Sequence, residues 1–105
     1  MAKETTAPLP PGATIGILGG GQLGRMAAMS AAELGYRCHI YSPDADAPAK
    51  EVSAAQTTAP YEDRDAARAF AEAVDVVTFE FENVPDETLA VIAEIVAVRP
   101  GVAAL

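Results

Sequence analysis

Basic residues are scarce in this chain of 105 residues: seven Lys and Arg stand against fifteen Asp and Glu, for a formal charge of −8. The few cations are scattered rather than gathered into a stripe. A phosphate backbone needs such a stripe, which excludes nucleic acid as a partner, and an anionic membrane surface is excluded with it. Long apolar runs are also missing. Nothing approaches the ~20 residues of a membrane span, and the opening "MAKETTAPLPPGA" has an early lysine but no apolar segment, unlike a secretory signal. The single cysteine, Cys38, rules out an internal disulfide framework and suits a reducing, cytoplasmic compartment. Within "YRCHIY" it is expected to be a small buried hydrophobe and chemically inert. His39 is the only histidine, and with no cysteine or second histidine near it, it is not expected to hold a metal.

What remains is an ordinary globular mixture, 50% hydrophobic and 21% charged, of a length that suits one domain. Pro8, Pro10, Pro11 and Gly12 make residues 1–12 an expected flexible lead-in, with the domain at 13–105. Short apolar runs predict strands at Thr14 to Leu18, Arg37 to Tyr41, Gln56 to Thr58, Val74 to Phe81 and, last, in "AVRP". Between them, Leu23, Met26, Ala27, Met29 and Leu34 recur near helical spacing, and Gly35 stops that helix at the position glycine prefers. "PDADAPAKEVSAAQ" reads as a loop with one helical turn at most. Asp63 is an expected N-cap for a helix through Ala73, with Ala67, Phe70 and Ala71 inward. Pro85 and Asp86 open a further helix to about Ile95, whose Leu89, Ile92 and Ala93 recur at three and four. Strands alternating with helices define the fold class as α/β: an open, mostly parallel sheet with helices on both faces.

"IGILGGGQLG" carries the first chemical signal. Gly19, Gly21 and Gly24 satisfy G-x-G-x-x-G between a strand and a helix. One glycine permits the tight turn, another lets a phosphate reach the backbone, and the third allows close packing. The helix beginning near Gln22 directs free N–H groups and its positive dipole end at whatever sits there, worth ~0.3–1 kcal/mol to an anion from the dipole alone. The same pattern also fits a ligand-free turn, or a nicotinamide or flavin dinucleotide. A dinucleotide wants an acid at the end of the second strand. Here Ser42 follows Tyr41, and Asp44 and Asp46 lie beyond Pro43.

The second signal is "TFEFENVP". Strand alternation puts Phe79 and Phe81 on one face and Glu80 and Glu82 on the other, at the strand end where ligands of open α/β sheets collect. Backbone donors beside an acceptor carboxylate form a divided site, and a small amino-sugar phosphate suits it better than an extended dinucleotide. Arg25, on the first helical turn, is placed either to add charge to a phosphate or to form a surface ion pair.

"PLPPGATIGILGGGQLGRM", "LGYRCHIYSPDADAPA" and "VDVVTFEFENVP", in that order, resemble the N-terminal, Rossmann-like pre-ATP-grasp domain of the 5-(carboxyamino)imidazole ribonucleotide synthase family, ATP-grasp ligases of purine biosynthesis. The resemblance runs from about Pro8 to Pro100. It implies an ATP-dependent carbon–nitrogen ligase acting on 5-aminoimidazole ribonucleotide and bicarbonate, with ATP and Mg2+ as cofactors and a homodimer as the usual assembly. It also implies that Gln22, Leu23 and Glu80 contact the ribonucleotide, alongside the donor loop of Gly20 and Gly21; Arg25 and Glu82 are further candidates. No catalytic residue and no metal ligand is assigned in this chain. The family often has Asp where Ser42 stands. Its members run on for more than twice this length into the segments that bind ATP and Mg2+, and the two lysines here, Lys3 and Lys50, do not replace them. The expectation is therefore a substrate-side piece, inactive toward ATP alone. A dinucleotide-binding half-domain of an oxidoreductase and a non-catalytic docking module stay open as alternatives.

Overall fold

The β-branched run Thr14–Leu18 forms β1, and it is the centre of everything else. In the computed structural model, which describes residues 10–79 and 84–100, β1 is followed by α1 (Gln22–Glu33), β2 (Arg37–Ser42), a short 3-10 helix (Pro48–Val52), β3 (Ala55–Thr58), α2 (Arg64–Glu72), β4 (Val76–Phe79), α3 (Asp86–Ala93) and β5 (Val98–Pro100). The five strands form one sheet in the order β3-β2-β1-β4-β5, every pair parallel. The chain winds outward from β1 to β3, then returns past β1 to place β4 on its other side. Leu18, the last residue of β1, is in register with Tyr41 of β2 and Phe79 of β4.

Strand alternation divides the core in two. Ile15, Ile17, Cys38, Ile40 and Val76 meet α1 and the 3-10 helix through Ala27, Ala28, Ala31 and Ala49. Leu18, Tyr41 and Val77 meet α2 and α3 through Ala67, Phe70, Ala71 and Ile92. Helices thus cover both faces, as expected. On the second face the ring of Phe70 fills the space under Gly16, where a Cβ would come 2.6 Å from its Cζ. His39 and Tyr41 present their rings edge-on to Phe70, at centroid distances of 5.1 and 5.3 Å.

Local signals act where the sequence placed them. The Asp63 carboxylate accepts the Ala66 N–H at 3.0 Å, and Ala67, Phe70 and Ala71 are the buried residues of α2. Gly35 ends α1 in the left-handed region, at φ +88°. The structure orients α1 and corrects two boundaries. The inner face of α1 is Gly24, Ala27, Ala28 and Ala31, while Leu23, Met26, Met29 and, just past the helix end, Leu34 are exposed. Small residues let the helix lie close on the loop and sheet, so the larger apolar side chains are turned outward. α3 ends at Ala93 rather than Ile95, and Ala93 is exposed. The buried residues of α3 are Thr88 and Ile92, one turn apart, and the Thr88 hydroxyl donates to Tyr61 O at 2.6 Å. β4 starts at Val76, and Asp75 just before it exchanges two bonds with Thr14 at the start of β1: its N–H donates to Thr14 O and its carboxylate accepts the Thr14 N–H, both at 2.8 Å.

Candidate functional site

β1 leads into the glycine loop, whose backbone is committed residue by residue. The Gly19 N–H donates to Tyr41 O at 3.0 Å, and the residue takes φ +116°, a turn only glycine makes without strain. The Gly20 carbonyl accepts the Ala49 N–H at 2.9 Å. A Cβ on Gly20 would strike Ala47 and press on Ser42, 3.1 Å from its Cβ. Gly21 is the N-cap of α1, and its carbonyl accepts the Arg25 N–H at 3.0 Å. Gly24 packs against the loop itself: a Cβ there would lie 2.7 Å from Gly19 O and 3.5 Å from Ala49 Cβ. The third glycine of the motif therefore serves loop-on-helix packing.

That geometry leaves the first N–H groups of α1 without a side-chain cap from Gly21. A helix cannot satisfy its own first N–H groups, and α1 has no side-chain cap and no acid in its first turn. The other two helices do carry acids there, Asp65 in α2 and Asp86 with Glu87 in α3. In a chain of charge −8, an uncapped and unneutralised N-terminus is the natural seat for an anion. Gln22 and Leu23, the first residues of the helix, are exposed.

The loop is walled on one side. Its β2 side is filled by Ser42, Ala47 and Ala49. Ser42 is buried, and its hydroxyl accepts the Asp44 N–H at 3.2 Å, while the Asp44 carboxylate accepts the Asp46 N–H at 2.9 Å. Those side chains organise their own turn. Beyond them lies an open cleft of about 410 Å3 lined by Ala45, Asp46, Ala47, Lys50, Glu51 and Gln56. Burial pushes the Lys50 ammonium below its usual pKa, and the charges of Asp44 and Asp46 draw it back. On the other side of the loop is the exit of β4, the neighbouring strand, about 4.8 Å away. The chain reverses its direction of winding between β1 and β4, and ligands of open α/β sheets bind at such a point.

The residues named from sequence fall as follows. Gly20, Gly21, Gln22 and Leu23 form one turn at the β1 exit. Arg25 is in an ion pair, its guanidinium 3.6 Å from the Glu51 carboxylate, which is the second of its two sequence readings. Glu80 and Glu82 lie outside the described residues; the strand that leads to them ends at Phe79, beside Leu18. Two residues escaped the sequence. Lys50 is buried against the loop's wall. Thr78, one residue before the β4 exit, is fully buried with its hydroxyl unpartnered. Neither has a local signature, since a lysine among alanines and a threonine in a β-branched run are both unremarkable.

His39 is occupied structurally, its Nε2 2.7 Å from Thr57 Oγ1. Cys38 is buried, and burial pushes its thiol up to about 11. Among the described residues no three His, Cys, Asp or Glu side chains are grouped to hold a metal.

Fold and loop together define a doubly wound parallel α/β domain with a glycine loop and a helix N-terminus at its switch point. The chain belongs to the ribonucleotide synthetase preATP-grasp domain family, whose model matches residues 12–105. It is 52% identical over 97 residues to the N5-carboxyaminoimidazole ribonucleotide synthase of Brucella melitensis, a match covering 92% of this chain and 27% of that protein. A crystal structure of an N5-carboxyaminoimidazole ribonucleotide synthetase, the ADP complex of purK, superposes with a TM-score of 0.84 at 40% identity, over 90% of this chain and 25% of that one. The Aspergillus clavatus N5-carboxyaminoimidazole synthase, solved with ADP and 5-aminoimidazole ribonucleotide, gives a TM-score of 0.75 at 36% identity, over 88% and 25%. The chain thus spans about a quarter of the length of these relatives.

Proposed function

We propose that this chain is the substrate-side domain of a ligase that carboxylates 5-aminoimidazole ribonucleotide with ATP and bicarbonate. The observation that carries the reading is the uncapped α1 N-terminus at the β1 exit, beside the β4 exit that leads to Glu80. In this reading the N–H groups of Gly20, Gly21, Gln22 and Leu23 bind the ribonucleotide phosphate. Glu80 accepts from its amino or hydroxyl groups, Glu82 is a further candidate, and Arg25 adds charge when released from Glu51. ATP, Mg2+ and bicarbonate are handled by parts of the ligase outside this chain, which works in the cytoplasm as a homodimer and is inactive toward ATP alone. The support is the family, the relatives' names and the Aspergillus complex with that ribonucleotide.

The test is a titration of the labelled chain with 5-aminoimidazole ribonucleotide, followed by amide chemical shifts. Shifts at Gly20 through Gly24 at millimolar ligand are expected, and a loop that stays silent there defeats the reading. NADH serves as the counter-ligand. It should not bind, because Ser42, Ala47 and Ala49 occupy the β2 side of the loop where its adenosine would lie.

One observation favours a second reading, the docking module. The large apolar side chains exposed among the described residues, Leu23, Met26, Met29 and Leu34, all belong to α1 or its C-cap. Light scattering across a concentration series tests it: self-association relieved by Met26→Lys supports docking through α1, and a monomer at every concentration removes self-docking.

A further inference from the structure

Lys50 comes from a stretch whose sequence reads as a loop with one helical turn, and only 6% of its surface is exposed. An ammonium is tolerated at such a site when its protons find oxygens. Lys50 Nζ lies 3.0 Å from Ser42 O, 2.6 Å from Asp44 O and 2.7 Å from Thr58 Oγ1. These acceptors sit at the end of β2, in the loop after it and at the end of β3, so one cation ties three separate stretches together. The 3-10 helix that carries Lys50 also forms the wall of the glycine loop. Its Ala49 N–H donates to Gly20 O, its N-cap Ala47 abuts Gly20, and Ala49 abuts Gly24.

We propose that Lys50 is a positioning residue for the glycine loop. By clamping the Ser42-to-Ala49 wall it holds the peptide groups of Gly19 and Gly20, and through them the free donors of Gly21 to Leu23, in one geometry toward a bound phosphate. Lys50 itself touches no ligand. Backbone donors act strongly only when they need not reorganise on binding, and small misplacements are costly. The identity of the ligand rests on the ribonucleotide reading above; the clamp does not.

Three variants test it. Lys50→Met keeps the stem and removes the donors; Thr58→Val removes one acceptor at an exposed position and keeps the fold if the first does not; Asp63→Ala destabilises α2 away from the loop. In the ligand-free chain, amide hydrogen exchange at Gly19 and Ala49, whose N–H groups hold the loop to β2 and to the wall, should quicken about tenfold in Lys50→Met and less in Thr58→Val. Asp63→Ala should leave those two amides unchanged. Affinity for 5-aminoimidazole ribonucleotide should fall about tenfold in Lys50→Met and stay level in Asp63→Ala. Undiminished protection at Gly19 and Ala49 in both clamp variants, or equal loss in Asp63→Ala, overturns the proposal. A wild-type chain that does not bind the ribonucleotide defeats the functional reading alone, and the exchange rates still decide the clamp.

Discussion

Replacing Gly24 by alanine sets two effects of opposite sign against each other. Gly24 is the third residue of α1, and alanine there gains about 0.8–1.0 kcal/mol of helix propensity. The added Cβ, however, would lie 2.7 Å from Gly19 O, and ordinary contact begins at 3.4 Å, so the two must part by about 0.7 Å. The obstacle is a backbone oxygen and cannot rotate away as a side chain can. Gly19 is itself held by its N–H bond to Tyr41 O. Overpacking of this kind costs about 1–3 kcal/mol, so Gly24→Ala should lose about 1 kcal/mol net, or about 5 °C in Tm for a domain of this size. Urea and thermal unfolding measure it. Ser30→Ala, on the exposed face of the same helix, is the control and should rise slightly. If Gly24→Ala is as stable as the parent or more so, the close approach of loop and helix is wrong. The same displacement should weaken ribonucleotide binding, since Gly19 O and the Gly20 N–H belong to one peptide group and move together.

His39 and Cys38 give two further tests. Burial lowers the His39 pKa below 6.5, so between its depressed value and 6.5 the folded chain binds fewer protons than the unfolded one. Its contribution to stability is therefore complete above pH 6.5 and is lost as pH falls through the depressed value. Proton NMR of the only imidazole should show the low pKa, and His39→Gln should flatten the stability profile below pH 6.5; a pKa at or above 6.5 contradicts the burial. The Cys38 thiol, pushed up to about 11 from 9.0, carries about a hundredfold less thiolate at pH 8 than a free cysteine. Alkylation by iodoacetamide should be slower by at least that factor in the native chain than in denaturant, and equal rates would show the thiol is accessible.

The elements were legible because their signals are local. A β-branched run between glycines, an aspartate three residues ahead of the amide it caps, and a glycine where a helix must turn into the left-handed region each state their structure within a few residues. Strand order was not written in any such window. That β1 lies between β2 and β4 depends on how the crossovers pack, and it is this order that brings the β1 and β4 exits side by side. The orientation of α1 escaped for a related reason. Leu23, Met26 and Met29 recur at helical spacing as well as Ala27, Ala28 and Ala31 do, and only contact with the loop and sheet selects the small residues as the inner face.

The sequence by itself determined the α/β class, the glycine turn at the head of α1, and the kinship with the ribonucleotide synthetase family. Each of these is spelled out by neighbours in the chain. Tertiary structure alone decided which strand exits meet, which face of α1 is bare, and that Lys50 is buried to hold the loop's wall rather than solvated. Those outcomes depend on contacts between residues distant in sequence, where the free energy of packing overrides what any one segment prefers.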